Sequence, residues 1–395
     1  MNRAALIRGI QLIVAITLVT FALILWRSLS EHRADLTGAL DHLHPGWLAV
    51  AVVFALQEGV CGGLRMFLLS RVLCPEVRVR TVIASEFVLM FVGGVTPGQL
   101  GAPVAQVATL VEGGMPFTAI ATAELLTAFC TISFFLLSAA TLMTMRARGV
   151  LVVPGAEALD VLVGISFAVF GAAFLALLLC VLHPPFLKAI FRTVGAALGG
   201  AKQAIVRVAT RGGRFSSLRA HPDAAPGALT RRLTASVDRV HEGFMVYLRR
   251  GKLALTGAFT LTVCFFWARF SVAYFILLGL GLPTHPRSFV APLPEFLQVI
   301  AVQSLLNFAL YLSPTPGASG VAEAGSATLM SPWVDDAHAL PYLVLWRLLA
   351  LFLCMFVGGT YVFRYLGTDV LERRAKEAEE ARAALEAAER PTEGL

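Results

Sequence analysis

Ionisable side chains within long apolar stretches are the residues of this sequence that could do chemistry. A charged side chain at the centre of a lone membrane helix costs about 2.5–3.5 kcal/mol, so such groups are kept where they pair with an opposite charge or contact a substrate or proton. Either a structural Glu–Arg network or a pathway for a headgroup or proton accounts for them. The sequence holds seven: Glu58, Arg65, Glu86, Glu124, Arg269, Glu323 and Arg347.

A repeated Pro-Gly motif accompanies these charges. The segment Thr96–Gly101 (TPGQLG) recurs as Thr315–Gly320 (TPGASG), and at a constant offset of 219 eight of the fifteen positions from 96 to 110 are identical. Proline removes a backbone donor and breaks a helix, so each motif predicts two short helical segments joined by a break. The alternative is that Pro and Gly only kink longer helices where they pack.

The breaks suggest anion binding. Non-helical backbone at membrane depth is tolerated where protein buries it or where it lines a wet cavity. The second half-helix of each pair has free N–H groups at its N-terminus, and these favour phosphate and other anions. Under the offset, Glu124 corresponds to Leu343, one turn from Arg347, so the two halves are predicted to point opposite charges at a common interface. Glu58 and Arg65 lie two turns apart, too far for direct pairing.

The composition places these motifs in a membrane. Of 395 residues, 57% are hydrophobic and only 14% are charged, which excludes a water-soluble enzyme, a nucleic-acid binder and a disordered scaffold. No hydrolase, phosphate-loop or metal-ligand motif occurs in a credible context, and the six cysteines lack CxxC spacing. We therefore expect a protein that is not an enzyme and that has no cofactor and no metal.

The apolar stretches predict an all-α polytopic membrane protein with inverted repeats, each containing a broken or re-entrant helical hairpin. Residues 1–367 form the membrane domain, with repeat segments at about 81–145 and 295–366, and residues 368–395 form a charged cytoplasmic tail. A basic loop occupies about 183–252. About eight membrane-embedded segments are expected, near residues 10–26, 47–73, 81–111, 116–145, 161–182, 254–282, 297–330 and 340–365.

The charge distribution orients these segments. Thirteen basic residues and three acidic ones lie between Lys188 and Lys252, so this loop is expected in the cytoplasm, with attraction to anionic lipids. Both termini then fall inside, at the cytoplasmic membrane. The first hairpin enters from the cytoplasm and the second from the exterior. Two such segments in inverted orientation, meeting near the midplane, are typical of transporters.

The sequence resembles the flippase-like membrane family typified by the transmembrane region of lysylphosphatidylglycerol synthase, over about residues 10–366. The resemblance rests on Leu64-Arg65, on the two Pro-Gly motifs, on Glu323 and on Arg347. The chain departs from the family pattern at four positions. Gln99, Ala102 and Gln106 stand where the family commonly carries Arg, Glu and Arg, and Ala322 stands where it often has Arg.

The resemblance implies translocation of a phospholipid or other lipid across the cytoplasmic membrane, without the aminoacyl-transferase domain of the full synthases. The alternative is an accessory or structural subunit that partners a lipid-modifying enzyme. The expected partners are membrane lipids with anionic headgroups, and either further copies of this chain or such an enzyme. Nucleic acid is not expected as a partner. The predicted substrate-binding residues are Arg65, Thr96, Pro97, Gly98, Gln99, Gly101, Glu124, Arg269, Thr315, Pro316, Gly317, Gly320, Glu323 and Arg347.

Overall fold

The protein is a helical bundle. The computed structural model describes residues 43–149, 156–183, 228–282 and 295–364, and no strand occurs in these ranges. A π turn at Leu348–Phe352 joins the last two helices. In chain order the helices are α1 (Pro45–Leu73), α2 (Val79–Val95), α3 (Ala102–Glu112), α4 (Phe117–Ala147), α5 (Ala156–Leu182), α6 (Ala228–Arg250), α7 (Lys252–Gly279), α8 (Glu295–Leu312), α9 (Val321–Met330), α10 (Asp336–Arg347) and α11 (Leu353–Arg364).

Six stretches of the described chain are long and apolar enough to cross a membrane. They lie in α1, α4, α5, α7 and α8, and in the continuous run of α10 and α11. The prediction of an all-helical, multi-pass membrane protein is therefore confirmed. The predicted first span at residues 10–26, most of the basic loop and the tail at 368–395 lie outside the described residues.

Each Pro-Gly motif ends one helix and starts another that runs back along it. The residue before a proline is forced into the extended region, and Thr96 and Thr315 have ψ angles of 139° and 150°. Helix α3 then returns beside α2, since Gly113 lies directly against Thr81. Helix α9 returns along α8, where Gln303 Nε2 lies 3.3 Å from Met330 Sδ. The orientation of these pairs in a membrane stays a prediction.

Glycines on two helices allow α2 to pack deep in the bundle. On α1, Gly59 faces the ring of Phe87 and Gly62 faces the carboxylate of Glu86, at distances that leave no room for a Cβ. On α11, Gly358 lies against the backbone of Phe87. Helix α2 is therefore held between α1 and α11, and the carboxylate of Glu86 is directed into the protein, where its side chain is buried.

Aromatic side chains hold the other side of the bundle together. Phe134 of α4 stacks on Phe266 of α7 with ring centroids 4.4 Å apart, and Phe135 stacks on Phe170 of α5 at 4.6 Å. Phe135 also contacts Phe308 of α8 at 5.7 Å. Rings packed in this way bury large apolar areas and prefer offset or edge contacts. They fix α4 against α5, α7 and α8, and α7 carries Arg269 less than one turn beyond Phe266.

Helix α6, in the C-terminal part of the predicted basic loop, is anchored at one end of the bundle. The hydroxyl of Tyr247 donates a hydrogen bond to the Leu69 carbonyl near the end of α1. Burial raises the pKa of Tyr247, so the phenol stays protonated and serves as a donor. Gly243 packs against Thr122 at the start of α4. The basic helix therefore lies at the end of the bundle where α1 ends and α4 begins.

Candidate functional site

A charged cavity of about 130 Å³ lies inside the bundle, between both Pro-Gly motifs. Residues from α1, α2, α7, α8, α10 and α11 line it, together with Gln99, Gly317 and Ala318 from the motifs themselves. Such a combination of charges and irregular backbone at one place in an apolar bundle indicates a site for a polar group. The polar and ionisable side chains at the wall are Glu58, Glu86, Gln99, Arg269, Tyr311, Arg347 and Cys354.

The two breaks, Thr96–Gly101 and Thr315–Gly320, contact each other, and their first four residues have the same backbone turn. At the last position they differ, since Gly101 has φ of −77° and Gly320 has φ of 88°. Gly98 and Gly317 both have φ of 57°, with ψ of 19° and 18°. The following residues, Gln99 and Ala318, also have positive φ, at 57° and 54°, which is uncommon for residues with a Cβ. A Cβ added to Gly317 would lie 3.6 Å from the carbonyl oxygen of Gly94 at the end of α2. The repeated motif therefore encodes the same turn twice.

The second break is held by an ion pair. Arg347 donates from Nη2 and Nε to Glu323 Oε1 at 2.6 and 2.9 Å, and from Nη1 to the Gly317 carbonyl oxygen at 2.9 Å. The other oxygen of Glu323 accepts the Gly320 N–H at 2.5 Å. The guanidinium thus links α10 to the turn and to the first turn of α9.

A second ion pair lies between α1 and α7. Arg269 Nη1 donates to Glu58 Oε1 at 2.5 Å, while Glu58 Oε2 is buried without a hydrogen-bond partner. The side chain of Arg269 is 29% exposed, compared with 7% for both Arg65 and Arg347. Arg269 is therefore the most accessible of the three intramembrane guanidiniums.

A third cluster contains two carboxylates and one guanidinium. Arg65 Nη2 lies 3.7 Å from Glu86 Oε1, and Gln106 Nε2 donates to Glu86 Oε2 at 3.0 Å. Arg65 also lies over the ring of Phe265, 5.3 Å from its centroid. Glu124 is within electrostatic range of Glu86 and Arg65, and its Oε1 is buried without a hydrogen-bond partner.

The helix N-termini after the breaks are already occupied by groups of the protein itself. The Gly320 N–H binds the Glu323 carboxylate, and the Gly101 N–H donates to Thr96 Oγ1 at 3.2 Å. Neither Gly101 nor Gly320 lines the cavity. The sequence predicts that these N-terminal N–H groups are free for an anion, and this prediction is wrong for the N–H of Gly101 and for that of Gly320. The cavity is lined instead by Gln99, Gly317 and Ala318 of the two turns.

The structure brings only some of the predicted site residues to the cavity. Gln99, Arg269, Gly317 and Arg347 line it, and Glu323 and Arg65 lie behind it as partners of Arg347 and Glu86. The remaining break residues shape the two turns: Thr96, Pro97, Gly98, Gly101, Thr315, Pro316 and Gly320.

The predicted interface between Glu124 and Arg347 is wrong. Arg347 is paired with Glu323, and Glu124 is near Glu86 and Arg65 instead. Glu58 and Glu86 line the cavity but are not among the predicted site residues, although both are predicted as intramembrane charges. Both acids could have been included because Arg65 and Arg269, as charges within the membrane, each need a buried counter-ion.

Within the described ranges, no group of three or more His, Cys, Asp or Glu side chains has an arrangement that could hold a metal ion.

The fold and the site together are those of a polytopic membrane protein with paired charges around a polar cavity. Over residues 11–358 the chain matches the family described as "Lysylphosphatidylglycerol synthase TM region", and it belongs to that family. The resemblance in the sequence is confirmed, and membership links the protein to membrane lipid metabolism. A comparison with curated proteins gives no match.

Proposed function

We propose that this protein translocates a lipid across the cytoplasmic membrane, with the headgroup passing through the cavity. The observation that carries the proposal is that both breaks meet at one cavity whose wall holds two acids and two guanidiniums. A headgroup crossing about 30 Å of hydrocarbon needs polar partners near the midplane, while its acyl chains remain in lipid. Breaks at that depth supply backbone groups where regular helices supply none.

Arg269 is the proposed contact for a headgroup phosphate. It is the most exposed of the three guanidiniums, and it is held by a single oxygen of Glu58. A guanidinium matches the geometry of a phosphate and binds it with two parallel hydrogen bonds. A phosphate entering the cavity would bind the guanidinium N–H groups of Arg269 other than the Nη1 donor to Glu58, so that neither Arg269 nor Glu58 is left unpaired.

In the present conformation the cavity is narrow but partly open to the surface, since its lining residues Gln99 and Tyr311 are exposed. A volume of about 130 Å³ is below the roughly 300–1,000 Å³ typical of ligand pockets, so a whole headgroup requires the cavity to open. Two helix pairs of inverted orientation would open it alternately to each side by rocking against each other. The contact between the breaks, where Gly317 approaches Gly94, is the surface at which the two halves separate.

The proposal is tested with purified protein in liposomes that contain fluorescent lipids with anionic or neutral headgroups. Dithionite quenches the label in the outer leaflet, so the loss of fluorescence measures how fast lipid leaves the inner leaflet. We expect wild type to expose inner-leaflet label and Arg269→Gln to slow this about tenfold, the effect of about 1.4 kcal/mol on a barrier. Arg249→Gln, on α6 and away from the cavity, is the matched control and should behave as wild type.

Absence of movement for every headgroup, with and without an ion gradient, contradicts translocation and favours the accessory-subunit alternative. Equal rates for wild type and Arg269→Gln would retain translocation but remove Arg269 as the phosphate contact.

A further inference from the structure

The charges within the bundle balance at two places and not at the third. Glu58 with Arg269, and Glu323 with Arg347, each combine one acid with one guanidinium. The cluster of Arg65, Glu86 and Glu124 combines two acids with one guanidinium. An isolated ionised carboxylate out of water is costly enough that it takes up a proton instead, and two carboxylates sharing one site do not both ionise readily.

The hydrogen bonds indicate which acid is ionised. Both oxygens of Glu86 face donors, since Arg65 lies near Oε1 and Gln106 donates to Oε2. An ionised carboxylate accepts at both oxygens, whereas a protonated one has a donor of its own. Glu124 Oε1 is buried and has no hydrogen-bond partner. Glu86 therefore suits the charged form and Glu124 the protonated form.

Among the residues that the structure describes, the other charged and titratable groups around the cluster do not supply the missing positive charge. Glu86 is within electrostatic range of Glu58 on α1, and Tyr311 on α8 is within range of both Arg65 and Glu86. On α4 itself, the thiol of Cys130 is within range of Arg65. From α7 the cluster meets the neutral hydroxyl of Thr262, 3.5 Å from Arg65 Nη1.

We propose that the Arg65–Glu86–Glu124 cluster binds one exchangeable proton, carried on Glu124, and that the cavity has access to it through Glu86. Glu86 belongs to both places, since it lines the cavity and also faces Arg65. Intramembrane acids in contact with a substrate path serve as proton relays in transporters. The coupling part of this inference rests on the proposed function: a proton moves when lipid moves. The proton site itself does not rest on it.

Infrared spectroscopy of the full-length protein in lipid nanodiscs at neutral pH tests the proton site without any transport. We expect the carbonyl stretch of a protonated carboxylic acid in wild type and its loss in Glu124→Gln. Glu112→Gln, at the exposed end of α3, is the matched control and should leave the band unchanged. Gln106→Lys leaves Glu124 in place but adds a second cation beside Glu86, so it should also abolish the band, whether or not Glu124→Gln folds. A band that persists in both variants, or no band in wild type, overturns the proposal.

Coupling is tested in liposomes with an imposed pH gradient and an internal pH dye. We expect the gradient to change the rate of lipid movement by wild type. In Glu124→Gln the rates with and without the gradient should be equal. A gradient response in Glu124→Gln equal to that of wild type overturns the coupling. A wild type that shows the protonated band but moves no lipid supports the proton site and contradicts the proposed function, so the two failures are distinguishable.

Discussion

At the scale of single residues, the pair of Arg347 and Glu323 is unequally buried. The side chain of Arg347 is 7% exposed and that of Glu323 is 20% exposed. Breaking a buried pair by removing one partner costs about 3–5 kcal/mol, because the other charge stays without compensation. Glu323 without Arg347 still accepts the Gly320 N–H and reaches solvent. Arg347 without Glu323 keeps the Gly317 carbonyl and the ring of Trp346 but loses its counter-ion. The stranded arginine is therefore the more costly state.

We expect Glu323→Gln to lower thermal stability more than Arg347→Gln does. The double variant Glu323→Gln/Arg347→Gln should be less destabilised than the sum of the two, with a coupling energy of about 1–3 kcal/mol. Thermal melting of all four proteins in the same detergent measures this. Additive effects would show that the hydrogen-bonded pair contributes no coupling and that each side chain acts separately.

At the scale of elements, the two breaks have the same backbone at their Pro-Gly turns but different surroundings. A Cβ at Gly98 would meet only Leu100, at 3.9 Å, whereas one at Gly317 would meet Leu351 at 3.2 Å and the Gly94 carbonyl oxygen at 3.6 Å. Both glycines have φ of 57°, a left-handed conformation that costs a residue with a Cβ about 1–2 kcal/mol. Substitution at either break is strained, but only at Gly317 does a side chain also enter the cavity wall.

We therefore expect Gly98→Ala and Gly317→Ala to lower the free energy of unfolding by similar amounts, about 1–2 kcal/mol each from the backbone. Only Gly317→Ala should also slow lipid movement in liposomes, by about tenfold if the barrier rises by about 1.4 kcal/mol. Gly98→Ala serves as the control for strain alone. Equal transport by the two variants would mean that the contact between the breaks has no part in translocation.

Much of the element pattern could be predicted because it depends on local sequence. At both places in this chain, Thr-Pro-Gly gives an extended residue, the end of a helix and a left-handed turn, so both breaks could be predicted from the motif. The approach of α2 to α1 could not be predicted, since it depends on Gly59 and Gly62 facing a helix distant in the fold. The pairing partners of Arg65 and Arg269 could not be predicted for the same reason: each acid lies on a different helix from its arginine.

At the scale of the whole molecule, one end of the bundle carries the basic helix α6. Tyr247 donates a hydrogen bond to the end of α1, and Gly243 packs at the start of α4. Since α2 follows α1 and α3 precedes α4, helix α6 lies at the end of the bundle where α2 starts and α3 ends. Basic segments remain on the cytoplasmic side of a membrane. The first hairpin therefore begins and ends beside the basic helix, as its predicted cytoplasmic side requires, and the side from which the second hairpin enters stays a prediction.

Single cysteines at 215 and 337 test this orientation in intact cells and in inverted vesicles. Phe215 lies in the basic loop, and Ala337 is exposed in the first turn of α10 and leaves the capping residue Asp335 intact. We expect an impermeant thiol reagent to label position 215 only from the cytoplasm and position 337 only from outside. The parent protein with its native cysteines gives the background. Labelling of both positions from one side contradicts the inverted repeat.

The unequal support of the two breaks has a consequence for which half moves. The first break is closed by contacts within its own few residues, among them the bond from Gly101 N–H to Thr96 Oγ1. The second is clamped to a distant helix by Arg347. Displacing the turn of the first break therefore breaks no ion pair of its own, whereas moving the whole of α2 with it would separate Glu86 from Arg65. The second break is therefore the more firmly anchored of the two, and we expect the turn of the first to shift before that of the second when the cavity widens.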